Sequence, residues 1–201
     1  QMHKQNKLKR KTYKKVNQKF ADAILEKADE KDSIWIHDYQ LMLVPQMVRE
    51  QRPNISIGFF LHIPFPSYEI FRTLPWRKEI LQGLLGSDLV GFHTYDYERH
   101  FLSSVRRLLG LEVSFNDIYL EDRVIKVDSF PMGIDYKKFN AAAKEHSQRS
   151  ESEKSELQKR LDTHKKSAPD AKFFLSIDRL DYTKGIAKRL NAYEYFLNKY
   201  P

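Results

Sequence analysis

The 201-residue sequence is long enough for one well-buried core, or for one domain and part of another. It is 41% hydrophobic and 31% charged and has no cysteine, which excludes a disulfide framework, a thiolate nucleophile and any Cys-based metal site. The net charge of +8 comes almost wholly from residues 1–15, with seven Lys or Arg and no acid, so a solvated basic face is expected and not a nucleic-acid surface.

No apolar stretch follows that basic run, so it does not read as a secretory signal. The longest apolar run, Ile55–Phe65, contains His62 and Pro64 and is far too short to span a bilayer. In chain order, apolar periodicity predicts a helix over Tyr13–Lys27 with Val16, Phe20, Ile24 and Leu25 on one face, then a strand over Ser33–Ile36. A helix over Leu41–Arg52, a strand over Ser56–Leu61, a helix over Arg77–Leu85 and a strand over Asp88–Phe92 follow. The alternation continues with a helix over Tyr97–Leu109, a strand over Arg123–Val127 and a turn at Phe130–Asp135. A charged stretch holding a helix over Ser152–Lys165 leads to a strand over Lys172–Ile177 and a helix over Ile186–Lys199.

Such alternation with near-continuous apolar strands implies an α/β protein with a doubly wound, mostly parallel sheet covered on both faces. The composition shift divides the chain into residues 1–135, a connecting charged helical segment 136–171 and a lone βα unit 172–201. One βα unit cannot bury both faces of its strand, so a neighbouring domain is expected to complete it.

In open parallel sheets ligands bind beyond the carboxyl ends of the strands, and polar groups collect there in this sequence. Asp38 follows the first predicted strand; it is placed either to accept a hydrogen bond from a ligand hydroxyl or to cap the helix beginning near Leu41. His62 ends the second apolar run, where a satisfied core histidine competes with a ligand contact, and Pro64 and Pro66 stiffen the exit. His37 and His93 admit the same core or cap reading and receive no role. The loop Arg179–Gly185 leaves a strand and enters a helix, so helix-end N–H groups, the Arg179 fork and the Lys184 charge suit a diphosphate. The alternative is a surface ion pair of Arg179 with Asp178 or Asp181. No metal-ligand spacing, no Asp-x-Asp pair and no Gly-x-Ser-x-Gly turn occurs.

The runs WIHDYQLMLVP (35–45), IGFFLHIPFPSYEIFRTLP (57–75), DLVGFHTYDYERHF (88–101), FPMGID (130–135) and SIDRLDYTKGI (176–186) resemble the trehalose-6-phosphate synthase family in order and spacing. The resemblance runs from about Tyr13 to the end. It implies a GT-B glycosyltransferase fold, two Rossmann-like domains across a cleft, of which residues 1–135 are the later part of the acceptor-side domain and 172–201 the start of the donor domain. It further implies retaining transfer of glucose from a nucleotide donor, usually UDP-glucose, to glucose 6-phosphate, with no metal or cofactor. By motif, Asp38 is expected at the acceptor sugar, His62 near the transferred glucose, Ile63 beside the acceptor, and Arg179 and Lys184 on the donor diphosphate. The same resemblance implies small-molecule partners, a cytoplasmic location and no membrane, and leaves a homo-oligomer open.

The sequence departs from the family pattern in several places. The Gly-containing donor loop that precedes these motifs in the family, and the acidic ribose-binding region that follows them, have no counterpart in residues 1–201. His93 stands where Gln is more frequent, Met132 where Ile is usual and Arg10 where Trp is frequent. Residues 1–201 alone are therefore expected to be inactive. A non-catalytic paralogue that keeps a sugar-phosphate cleft is the alternative, against which all four carried-over polar and basic positions keep functional residue types.

Overall fold

The computed structural model describes residues 2–147 and 154–200, with side chains described from residue 8. The chain divides into two compact units, residues 1–134 and 135–201.

The first unit opens with a long helix α1 (Met2–Lys27) and continues β1 (Ser33–His37), α2 (Val44–Gln51), β2 (Ser56–Phe60), α3 (Tyr68–Phe71), α4 (Arg77–Leu84), β3 (Leu89–Phe92) and α5 (Tyr95–Leu109). A short hairpin, β4 (Glu112–Ser114) and β5 (Asp117–Tyr119), then leads to β6 (Val124–Ser129). The six strands form one sheet in the order β1-β2-β3-β6-β5-β4. The first four are mutually parallel, and β5 and β4 extend the sheet antiparallel. The hairpin escapes the sequence pattern because three-residue strands are too short to show a period.

Each crossover from β1 to β2, β3 and β6 moves in the same direction along the sheet. Right-handed connections therefore place all of their helices on one face. Burial agrees: Ile36, Ile57, Phe59, Val90, Phe92, Ile125 and Val127 point into the core, while their neighbours Trp35, Leu89 and Val124 are 69%, 38% and 46% exposed. Among the described residues one face of the expected two is thus covered. The core is closed by aromatic packing of Phe65 against Phe71, Phe92 and Phe101, with ring centroids at 4.8, 6.0 and 5.4 Å. Each such fully buried ring contributes roughly 1.5–3 kcal/mol.

The buried face of α1 agrees with the expected one at Ile24 and Leu25, which pack against the core, and departs from it a turn or two earlier. Val16 and Phe20 are 40% and 50% exposed, whereas Asn17 and Ala21 are fully buried. Asn17 sets this rotation by bonding: its Nδ2 donates to Tyr13 O and Gln40 O (2.9 Å each), and its Oδ1 accepts from Leu43 N at 3.0 Å. A buried amide with four such bonding sites has to be oriented by its partners before hydrophobic packing decides the rest.

In the second unit lie α6 (Tyr136–Ser147), α7 (Glu156–Ser167) and α8 (Ile186–Lys199). Helix α7 starts later than its sequence pattern because Ser155 forms a capping box with Gln158; residues 152 and 153 of the predicted helix lie outside the described residues. The predicted strand Lys172–Ile177 is corrected: this stretch carries no ladder, and Phe174, Leu175 and Ile177 are 78%, 87% and 81% exposed. An aromatic and aliphatic run marks a segment fit to pair, but a strand exists only when a neighbour takes its backbone groups.

Candidate functional site

At the carboxyl edge of the first unit's sheet, β1, β2 and β3 end side by side, with His37 in register with Phe60 and Phe60 with Gly91. Backbone bonds carry the ladder a step further, from Asp38 N to Phe60 O (2.8 Å) and from Leu61 N to Gly91 O (3.0 Å). Period-two alternation then turns His37, His62 and His93 toward the uncovered face, one from each strand tip. His37 Nδ1 lies 2.9 Å from His62 Nε2. The rings of His37 and His62 stack at 5.2 Å, and His93 meets His62 edge-on at 5.4 Å. The three rings lie in a row, and among the described residues no three His, Asp or Glu side chains are gathered as for a metal ion.

Phe60 is the floor of this row. Its ring touches His62 and His93 at centroid distances of 4.8 and 4.9 Å. Gly91 makes room for it, since a Cβ there would come within 2.7 Å of the Phe60 ring and 3.2 Å of the Phe130 ring. An apolar hollow of about 540 Å³ extends from the histidines across the open face, lined by Trp35, Gly58, Phe60, Leu89, Phe130 and Met132.

Asp38 stands next to the row in an unusual backbone conformation, φ 72° and ψ 168°. That region is all but reserved for glycine and costs a side-chain-bearing residue roughly 1–3 kcal/mol. The surroundings over-determine it. Tyr13 Oη donates to Tyr39 O (2.6 Å) and accepts from Met42 N (3.1 Å), while Asn17 holds Gln40 and Leu43. Burial raises the Tyr13 pKa, opposed by the bonds to Met42 and Asn17, so the phenol stays protonated and able to donate. One Asp38 carboxylate oxygen accepts from Tyr39 N at 3.0 Å, capping the short turn Tyr39–Leu41. The capping alternative is thus realised, on a turn that begins one residue on, and strain at a half-buried carboxylate remains to be explained by function.

His62 is exposed and not a core histidine, and Ile63 is 41% exposed beside it. The loop that carries them is held at Phe65, which is fully buried and whose carbonyl lies 3.2 Å from His100 Nδ1. His37 and His93, given no role from the sequence, join His62 in the same row. The available signal was their equal offset past adjacent strand ends.

Arg179 and Lys184 lie in the second unit and are both exposed. The acids that could have neutralised Arg179 are engaged elsewhere: Asp178 pairs with Arg189 at 2.7 Å, and Asp181 accepts from Thr183 N and Oγ1 at 2.9 Å each. Those two bonds hold the Asp181 carboxyl below its usual range, with the charges of Arg179 and Lys184 adding to the effect. Gly185, at φ 62°, ends the turn Tyr182–Lys184 and begins α8. That left-handed conformation is what a glycine supplies without strain. Arg189, missed in the sequence, bonds Ser176 Oγ, Asp178 and Lys184 O and so fixes the loop from the helix side.

A parallel-dominated sheet whose strand ends carry a carboxylate and imidazoles defines an α/β protein of the Rossmann-like class. The chain belongs to glycosyltransferase family 20, whose family model matches residues 1–201. Among curated relatives, the UDP-forming alpha,alpha-trehalose-phosphate synthase of Emericella nidulans is 47% identical over 193 residues, covering 94% of this chain and 36% of that protein. Among solved structures, the N-terminal domain of the Candida albicans trehalose-6-phosphate phosphatase is 39% identical with a TM-score of 0.73, covering 94% of this chain and 39% of that one. An E. coli structure described as trehalose-6-phosphate bound with UDP-2-fluoro glucose is 34% identical, TM-score 0.73, covering 94% of this chain and 40% of that one. The fold matched is the GT-B architecture of the trehalose-phosphate synthases. The chain spans from 25% to 39% of the length of the curated relatives it matches. Among the described residues no helix is long and apolar enough to cross a membrane.

Proposed function

We propose that the complete gene product transfers glucose from UDP-glucose to glucose 6-phosphate with retention, giving trehalose 6-phosphate. The observation that carries this is the family match along the whole chain, with Asp38 and His62 following the adjacent parallel strands β1 and β2. The E. coli relative, bound with UDP-2-fluoro glucose, supports a uridine diphosphate sugar as donor.

In this reading Asp38 receives a hydrogen bond from the acceptor hydroxyl as it attacks, through the carboxylate lone pairs that Tyr39 N leaves open. His62 hydrogen-bonds the transferred glucose, and Ile63 packs beside the acceptor. Arg179 and Lys184 hold the donor diphosphate, whose charge grows as the glycosidic bond breaks. Charge-assisted hydrogen bonds contribute about 1.5–3 kcal/mol each, so two made mainly in the transition state accelerate the reaction by orders of magnitude. Residues 1–135 then serve the acceptor side, 136–171 connect, and 172–201 begin the donor domain.

Small-molecule partners follow from the same reading. Arg10 and Lys14, part of the basic run, are already paired with Glu79, which argues against a nucleic-acid surface there. A cysteine-free chain suits a cytoplasmic, reducing compartment.

The test is a steady-state assay of the complete gene product. Arg179→Ala is expected to impair use of UDP-glucose far more than binding of glucose 6-phosphate, and Asp38→Ala to do the reverse or to abolish turnover. Equal effects of both variants on both substrates would refute the assigned roles. Residues 1–201 alone are expected to form no trehalose 6-phosphate. A second reading, a non-catalytic sugar-phosphate-binding paralogue, is favoured by the 39% identity to a domain of a phosphatase; binding of glucose 6-phosphate with no product formed by the complete gene product would select it.

A further inference from the structure

We infer that His37 is a positioning residue that acts through His62. The inference rests on the transfer reading for what His62 touches, but the pairing itself stands on geometry. With His37 Nδ1 2.9 Å from His62 Nε2, one ring donates and the other accepts. The arrangement therefore couples the tautomers of the two rings. It also uses up Nε2 of His62, so Nδ1 is the one ring nitrogen left to hydrogen-bond a sugar hydroxyl. The tautomer of His62 is thus tied to that of His37.

The local packing keeps the pair together. His37 is flanked on its other side by Trp35, with ring centroids 4.7 Å apart, and His62 rests on Phe60 at 4.8 Å. His37 is fixed by the β1–β2 ladder and His62 by the loop pinned at Phe65, so neither ring has to be ordered by the ligand. A hydroxyl arriving at His62 then meets a ring of set orientation, which lowers the cost of aligning it.

His37→Phe keeps a ring between Trp35 and His62 but removes the nitrogen. In the complete gene product, with UDP-glucose and glucose 6-phosphate, it is expected to lower kcat about tenfold with little change in either KM, the size expected for one orienting hydrogen bond. His37→Asn, whose amide occupies the Nδ1 position, should recover most of that loss. Combined with His62→Ala, His37→Phe should add nothing further, because its effect passes through His62. Equal losses in the Phe and Asn variants, or a loss additive to His62→Ala, would overturn the inference. The ¹⁵N imidazole spectrum reads the pairing without turnover: His37→Phe should shift the His62 ring nitrogens, and an unmoved His62 signal would also overturn it. An inactive wild type whose His62 signals still shift would sink the transfer reading and leave the pairing in place.

Discussion

The two ends of the parallel strands in the first unit are built on opposite principles. At the amino end the charged groups are paired with one another and with backbone carbonyls. Arg49, only 11% exposed, bonds Asp88 through both carboxylate oxygens (2.8 and 2.7 Å) and also caps the carbonyls of Gly86, Pro53 and Ile55. Asp88 in turn accepts from Ile57 N at 2.7 Å, and Arg123 closes the network on Ser87 O and Leu85 O. At the carboxyl end, a carboxylate sits at φ 72° and three imidazoles line an open face. The difference teaches where this fold spends its stability: one edge is locked so that the other can hold strained, ligand-ready groups.

Arg49→Met is expected to have the largest effect on stability, a loss of about 3 kcal/mol, because it leaves the carbonyls of Gly86, Pro53 and Ile55 without their side-chain donor, while Asp88 keeps Ile57 N and Arg123. Turnover per folded molecule should stay near wild type, as judged by denaturant unfolding beside an activity assay. A parallel fall in turnover would erase the contrast between the two edges. Gly91→Ala acts at the other edge. Its Cβ has to displace Phe60, so turnover is expected to fall about tenfold while stability changes by only about 1–2 kcal/mol.

The smallest expected effect is at Glu98 in the first turn of α5, 1% exposed, with neither carboxylate oxygen in a hydrogen bond of ordinary geometry. Burial raises its pKa; Ser129 works against the rise and the charge of Asp128 adds to it. A carboxyl with a raised folded pKa contributes its full stability below the ordinary Glu value of about 4.3, and that contribution is lost as pH rises through the folded pKa. Glu98→Gln should therefore flatten the decline in Tm with rising pH and be more stable than wild type at pH 8 by about 1 kcal/mol. An unchanged pH profile would show that Glu98 is not charged at the cost of the fold.

The parallel strands and most helices were legible because apolar runs and 3.6-residue periods survive into burial. The stretch 172–177 was not, since the same apolar run carries a ladder only when another strand lies beside it. The face of α1 was legible at Ile24 and Leu25 but not at Val16 and Phe20, where hydrophobicity favoured Phe20 and the buried, bonded position is Asn17. Of the candidate site, Asp38 and His62 were visible from motif and position. His37 and Phe60 were not, because their roles arise from the registration of β1 against β2 and from the space left by Gly91.

The most direct test of the central claim compares Asp38→Gly with Asp38→Ala in the complete gene product. Glycine accepts φ 72° without penalty, so it should be more stable than the alanine variant by about 1–2 kcal/mol. Both variants are expected to lose trehalose 6-phosphate formation by at least about a hundredfold. A glycine variant that keeps wild-type turnover would show that the strained carboxylate only caps a turn, and the assignment of this edge as the transfer site would fall.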